Sequence, residues 1–299
     1  MTKIKEFIET IRVIHWSKNT VIFLGFFIAW IMNRPLFNVF DFVNVFLLFM
    51  SYNLISSGNY ILNDYVDKGF DKYHIIKKNR IISLGKISRT KIFLSILSFW
   101  IGGLLLNIIL ENFVIFILAM TFIFFAILYN VPPLRIKDIP VFDVLLESAN
   151  SPLRFISGFL LLKLDISSVF MILFIYFYTA VLMNSKRLAE YVFLGRYKAI
   201  KYRKVFKFYN DKRLAFLFII YFIFTFSSLI VLTLKYNFYL FFIPVTLFAV
   251  QLLWYFKLSL KGEASVQKPA YVYKNLIFFV YSLFSVGLAL LFLLIRVIY

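Results

Sequence analysis

Asn63-Asp64-Tyr65-Val66-Asp67-Lys68-Gly69-Phe70-Asp71 closes a long apolar run with one amide and three carboxylates. Steps of three and four residues put Asp64, Asp67 and Asp71 on the face of Asn63 if the preceding helix continues through them. Clustered oxygen donors suit Mg²⁺, and Mg²⁺ held by carboxylates keeps coordination positions open for substrate phosphates. Basic residues follow at once: Lys72, His74, Lys77, Lys78 and Arg80. Acids for a metal, bases for phosphates and an adjoining membrane span point to a diphosphate-handling site. The plainer reading, a solvated juxtamembrane loop with charges of both signs, has no need of the NDxxDxxxD spacing.

The rest of the chain is built for lipid. Of its 299 residues 62% are apolar and 21% aromatic, and the mean hydropathy is +0.87, which excludes a water-soluble domain. Runs long enough to span a bilayer fall near 19–34, 41–62, 92–110, 113–130, 144–162, 166–184, 214–234, 238–256 and 275–295. The expectation is an all-α integral membrane domain over 1–299, with about nine transmembrane helices around a central cavity open to the cytoplasm. No cleavable signal peptide is apparent, because Lys3, Lys5, Glu6, Glu9 and Arg12 open an amphipathic segment.

Basic residues set the orientation. Alternate loops and the amino-terminal segment hold 28 of the 33 Lys and Arg residues, ten of them between Lys186 and Arg213. The positive-inside rule then places the amino terminus and the loops near 63–91, 131–143, 185–213 and 257–274 in the cytoplasm, with the carboxyl terminus outside. A prokaryotic inner membrane is the expected location. The formal charge of +19 is first a topology signal and then an attraction to anionic head groups, and no nucleic-acid recognition motif accompanies it. Without cysteine there are no disulfides or thiolate sites, and His15 and His74 are too few for haem or copper chemistry.

Four more polar clusters lie on the cytoplasmic side. Arg12, His15, Trp16, Lys18 and Asn19 precede the first span, where an interfacial anchor is the plain alternative to a substrate role. Tyr129 to Asp143 contains paired prolines that stop a helix, with Asp138 and Asp143 flanking the next one. Either acid could cap that helix or meet a metal or a substrate hydroxyl. Asp143, Glu147, Asn150 and Arg154 form a stripe inside the fifth span, which puts Arg154 roughly 16 Å deeper than Asp143. An arginine at that depth must line a polar cavity or pair with an acid such as Glu147. Lys186, Arg187 and Glu190 end the sixth span, and Lys186 and Glu190 could simply pair at their i,i+4 spacing.

These motifs resemble the UbiA-type membrane transferases, whose first aspartate motif Asn63, Asp64, Asp67 and Asp71 match position by position. Within that family the likeness is greatest to the decaprenyl-phosphate phosphoribosyltransferase branch. Its RxxxWxKN opening is matched by Arg12, Trp16, Lys18 and Asn19, its HPxKRxRPIASGxIS block by His74 to Ser88, and its KRxxE element by Lys186, Arg187 and Glu190. Ile75, Ile81 and Leu84 depart from the branch pattern and bear on the rigidity of that loop. UbiA-type prenyltransferases carry a second DxxxD-like motif after the sixth span, but from Asn184 to Arg213 the only acids are Glu190 and Asp211.

The resemblance implies Mg²⁺-dependent transfer of a phosphoribosyl group from phosphoribosyl diphosphate to a polyprenyl phosphate. It implies metal and diphosphate contacts at Asn63, Asp64, Asp67 and Asp71, with donor phosphates on Lys77, Lys78 and Arg80. Donor or lipid phosphate would meet Lys18, Lys186 and Arg187, and Glu190 or Asp138 would meet ribose hydroxyls. Asp143 and Arg154 complete the candidate substrate-binding set. The partners implied are an isoprenoid lipid, a phosphorylated donor and the surrounding membrane lipids. Prenyl transfer from a polyprenyl diphosphate is the second expectation, which would have to improvise an acidic cluster from Asp138, Asp143 and Glu147. A transporter or lipid-binding protein is the third, against which the acidic motif occurs only once. The leading reading places Lys186 and Arg187 beside Lys77, Lys78 and Asp67 around one cavity.

Overall fold

The computed structural model describes residues 9–33, 38–71, 73, 80–162, 169–267 and 275–298. A 3₁₀ segment, Val13–Thr20, leads into α1 (Val21–Asn33), followed by α2 (Val39–Asp71), α3 (Arg89–Ile108) and α4 (Phe113–Asn130). After a short turn at Ile136–Asp138 come α5 (Phe142–Ser148), α6 (Asn150–Leu160) and α7 (Val169–Tyr202). The chain ends with α8 (Asp211–Lys235), α9 (Phe242–Leu260), the short α10 (Ala264–Gln267) and α11 (Leu276–Ile298). Polar residues in the loops start several of these helices. The side chains of Ser88, Asn112 and Asn210 each accept a hydrogen bond from a backbone N–H in the first turn of α3, α4 and α8.

Eight helical stretches among the described residues are long and apolar enough to cross a membrane. The fold is therefore an all-helical membrane one, and the expected stretch at residues 144–162 is interrupted. There α5 and α6 follow one another, parted at Ala149, and neither is long enough to span alone. The polar stripe from Asp143 to Arg154 lies across that break, where a polar lining replaces the continuous apolar face of an ordinary span.

The two largest of several apolar clusters hold the halves of the bundle. Ile22 and Phe26 of α1, Leu48 and Tyr52 of α2, and Ile115, Ala119 and Phe122 of α4 build one. Val181 of α7, Phe218 and Tyr221 of α8, and Val245, Phe248 and Leu252 of α9 build the other. Close crossings of α1 over α6 depend on glycine: a Cβ at Gly25 would collide with the Phe155 carbonyl, and one at Gly158 with the Ile22 carbonyl. Phe46, Leu105, Phe124, Phe216, Ile223 and Leu283 remain exposed, as lipid-facing side chains do. The polar groups turn inward.

Candidate functional site

The helix α2 continues through the whole aspartate motif, so Asp64, Asp67 and Asp71 share its inner face as the spacing requires. Each carboxylate meets cations from elsewhere in the chain. Asp64 Oδ1 accepts from Arg12 and, at 2.7 Å, from Arg80 Nη1, which also reaches Asp71 Oδ2 at 3.2 Å. Asp67 Oδ1 accepts from Arg135 Nη2 at 2.8 Å and Lys137 Nζ at 2.6 Å. Arg135 Nε donates in turn to Asp138 Oδ2 at 3.0 Å, so one guanidinium bridges Asp67 and Asp138. Lys137 is buried and also donates to Asn130 Oδ1 at 2.9 Å. Burial pulls its ammonium down to about 8, against the opposing pull of Asp67.

A second network lies between α5 and α7. Arg187 donates through Nε to Asp143 at 2.9 Å, through Nη2 to the Tyr129 hydroxyl at 2.8 Å and through Nη1 to Glu190 at 3.4 Å. The Tyr209 hydroxyl donates to the other Asp143 oxygen at 2.6 Å and accepts from the Val141 N–H at 2.6 Å. Val141 has a φ of 70°, a strained value for a β-branched residue. Burial, then the neighbouring Asp143 carboxylate, pushes the Tyr209 phenol up. Arg203 Nη1 donates to Tyr129 at 3.1 Å and lies within electrostatic reach of Asp67, linking the two networks. Neither acid caps a helix: no side-chain bond caps α5, and the Asp143 oxygens are engaged by Arg187 and Tyr209.

A third group sits deeper. Arg154 donates from Nε to Asn19 Oδ1 at 2.5 Å and from Nη1 to the Asn150 carbonyl at 3.0 Å, with its guanidinium over the Phe122 ring. Asn19 also donates to Asn53 at 2.6 Å. Arg154 thus makes no ion pair with Glu147, contrary to the pairing alternative, because Asn19 supplies its acceptor instead. The amino-terminal cluster is correspondingly internal. Asn19 is fully buried, Trp16 donates to Ser57 at 3.2 Å, and Arg12 lies over the Tyr60 ring. The interfacial-anchor reading does not describe these three residues.

Of the expected site residues, Asp64, Asp67, Asp71, Arg80 and Asp138 are thus brought together on one side. Asp143, Arg187 and Glu190 are brought together on the other. Lys18 and Lys186 are half-buried near the Glu147 carboxylate. Asn63 is half-buried on α2, while Lys77 and Lys78 lie outside the described residues. Sequence reasoning gave no role to Tyr129, Asn130, Arg135, Lys137, Arg203 or Tyr209. Only the paired prolines beside the first four marked that turn as special.

The donor set suits Mg²⁺ in kind, with oxygen ligands at three- and four-residue steps on one helix face. Among the described residues no three acidic or histidine side chains converge as a ready cage, because each aspartate is turned to a cation. Arg12, Arg80 and Arg135 keep 14%, 26% and 12% of their side-chain surface exposed, so they have room to turn from carboxylate to phosphate. Arg187, at 2%, has none.

The profile of the UbiA prenyltransferase family matches residues 20–283. A UbiA homolog from Archaeoglobus fulgidus, solved with Cd²⁺, superposes at a TM-score of 0.69 with 16% identity, covering 98% of this chain and all of that one. The same homolog bound to DMAPP and Mg²⁺ gives 0.65, with 16% identity and coverage of 98% and 99%. A digeranylgeranylglyceryl phosphate synthase gives 0.61 at 16% identity, covering 100% and 99%. At that identity these likenesses show the fold. The uncharacterized protein y4nM of Sinorhizobium fredii is 28% identical over 158 residues, 52% of this chain, and the match spans only 28% of that protein's length.

Proposed function

The chain belongs to the UbiA prenyltransferase family, and from that premise we propose that it transfers a phosphoribosyl group from phosphoribosyl diphosphate to a polyprenyl phosphate. One observation carries this reading. Two of the three acids available for a second metal site are already engaged, Asp143 by the fully buried Arg187 and by Tyr209 and Asp138 by Arg135, which leaves Glu147 alone. The loop after them offers ten basic residues against two acids. Phosphate held directly by cations fits this better than phosphate held through a second metal.

In this reading Asn63, Asp64, Asp67 and Asp71 hold Mg²⁺, which when bound neutralises charge on the leaving diphosphate. Arg12 and Arg80 then leave their carboxylates for phosphate oxygens, and Arg135 turns Nη2 from Asp67 to phosphate while its Nε stays on Asp138. The buried network of Arg187, Asp143, Glu190 and Tyr129 fixes α7 against α5. Lys18 and Lys186 face the donor or lipid phosphate beside Glu147. The bond from ribose C1′ to diphosphate breaks, a bond from C1′ to the lipid phosphate oxygen forms, and diphosphate departs. That nucleophile is already ionised at pH 7, so the protein contributes position and charge stabilisation and needs no strong base. The whole chain acts as one transferase domain, with the active-site loops on the cytoplasmic face.

Prenyl transfer stays the second reading, favoured by the fold neighbour's complex with DMAPP and Mg²⁺ and by the Arg135 bridge between Asp67 and Asp138. Diphosphate release separates the two. Purified protein with Mg²⁺ is expected to release diphosphate from phosphoribosyl diphosphate when polyprenyl phosphate is added. Release only from a prenyl diphosphate, with 4-hydroxybenzoate as acceptor, establishes the second reading instead.

A further inference from the structure

Glu147 is the acid of the polar stripe that no described residue neutralises by contact. Among the described residues its carboxylate makes no hydrogen bond or ion pair, although Lys18, Lys186, Arg187 and Arg203 surround it within electrostatic reach. Two of those cations are directed elsewhere, Arg187 to Asp143, Glu190 and Tyr129, and Arg203 to Tyr129. Three residues on, Asn150 shares this face. Its Nδ2 donates to the Glu147 carbonyl at 3.1 Å, which fixes the amide orientation and leaves Oδ1 buried with no partner. Two acceptors without a donor among the described residues therefore share one face, with four cations within electrostatic reach of the carboxylate. The buried Asn150 oxygen left unmade is costly and the half-buried Glu147 carboxylate is open to a partner, so the arrangement suits a ligand that brings its own O–H groups.

We propose that Glu147 and Asn150 form a polyol subsite that takes the ribose hydroxyls of a phosphorylated sugar donor, with Lys18 and Lys186 beside it taking phosphate. This inference rests on the phosphoribosyl reading above and deepens it. A carboxylate accepts two hydroxyl donors side by side, and the Asn150 oxygen accepts a third bond. An ionised lipid phosphate has no donor to offer and is repelled by the carboxylate, and a prenyl diphosphate has no hydroxyl at all. The subsite is thus a selectivity device, and it replaces Glu190 and Asp138 as the hydroxyl-binding groups, since those acids are turned to Arg187 and Arg135.

The test is equilibrium binding to the purified full chain in nanodiscs. The probes are ribose 5-phosphate, 2-deoxyribose 5-phosphate, inorganic diphosphate and phosphoribosyl diphosphate. Wild-type protein is expected to prefer ribose over deoxyribose 5-phosphate by at least about tenfold, the usual loss for one hydrogen bond to a charged group. Glu147→Gln should weaken ribose 5-phosphate by about tenfold and reduce that preference. Diphosphate should bind it as well or better, because a nearby negative charge is gone. The opposite signs distinguish a lost contact from a damaged fold. Wild-type protein that binds phosphoribosyl diphosphate without preferring ribose, or Glu147→Gln that keeps the full preference, overturns the subsite alone. Wild-type protein that binds diphosphate but neither the sugar phosphates nor phosphoribosyl diphosphate overturns the phosphoribosyl reading with it.

Discussion

Replacing Arg187 by leucine removes the guanidinium that ties α5, α4 and α7 together. Asp143 and Arg187 are 0% and 2% exposed, and the Arg187 donors reach Asp143, Glu190 and Tyr129 at 2.9, 3.4 and 2.8 Å. With the guanidinium gone, Asp143 keeps one side-chain donor among the described residues, Tyr209 at 2.6 Å, for a charge on a fully buried side chain. Breaking a buried pair from one side costs about 3–5 kcal/mol, or roughly two to four orders of magnitude in the folding equilibrium. The assay is unfolding in mixed SDS micelles followed by intrinsic fluorescence, with the double variant Arg187→Leu, Asp143→Asn beside the single one. The single variant should unfold at markedly lower SDS, and the double should recover at least half of the loss because Asp143, the more buried of the two carboxylates Arg187 serves, no longer carries a charge. Wild-type resistance in the single variant, or a double variant no better than the single, refutes the argument that this pair organises the site. Lys186→Ala provides the contrast. Its half-buried side chain should cost less than about 1 kcal/mol and act instead on the donor KM.

Other consequences follow from the same contacts. Asp64→Asn and Asp67→Asn are expected to abolish turnover while leaving the protein monodisperse, and activity that survives EDTA or both substitutions contradicts their metal and diphosphate role. Arg154→Leu should lower thermal stability by removing the bonds to Asn19 and the Asn150 carbonyl, and adding Glu147→Leu should not restore it, since the two side chains do not pair. Full recovery in that double variant, read by expression and melting, returns the pairing idea. Gly158→Ala should cost about 1–3 kcal/mol because the added methyl meets the Ile22 carbonyl of the facing helix, whereas Gly287→Ala, with open space around it, should be neutral.

Much of the fold was legible because a membrane imposes it on composition. Apolar runs gave the spans, and the three- and four-residue steps of Asp64, Asp67 and Asp71 gave a shared face, since both signals are local. The break between α5 and α6 was not legible, because Asp143 to Arg154 keeps helical spacing straight across Ala149. The partners of the aspartates were hidden for another reason. Arg12 reaches Asp64 across 52 positions, Lys137 reaches Asp67 across 70, and Asn19 reaches Arg154 across 135. No periodicity reports such contacts. Arg187 shows the limit most plainly: read as a free phosphate ligand, it lies in a buried network with its donors engaged.

In the proposed reaction the donor is a phosphorylated ribose and the acceptor a lipid phosphate, so the mass of the lipid product identifies both. Purified protein, Mg²⁺, polyprenyl phosphate and phosphoribosyl diphosphate are incubated together with a prenyl diphosphate and 4-hydroxybenzoate, and the extracted lipids are weighed by mass spectrometry. The expected product is a polyprenyl phosphate heavier by one phosphoribosyl group, lost with Asp67→Asn. An unchanged polyprenyl phosphate beside a prenylated aromatic acid contradicts that reaction.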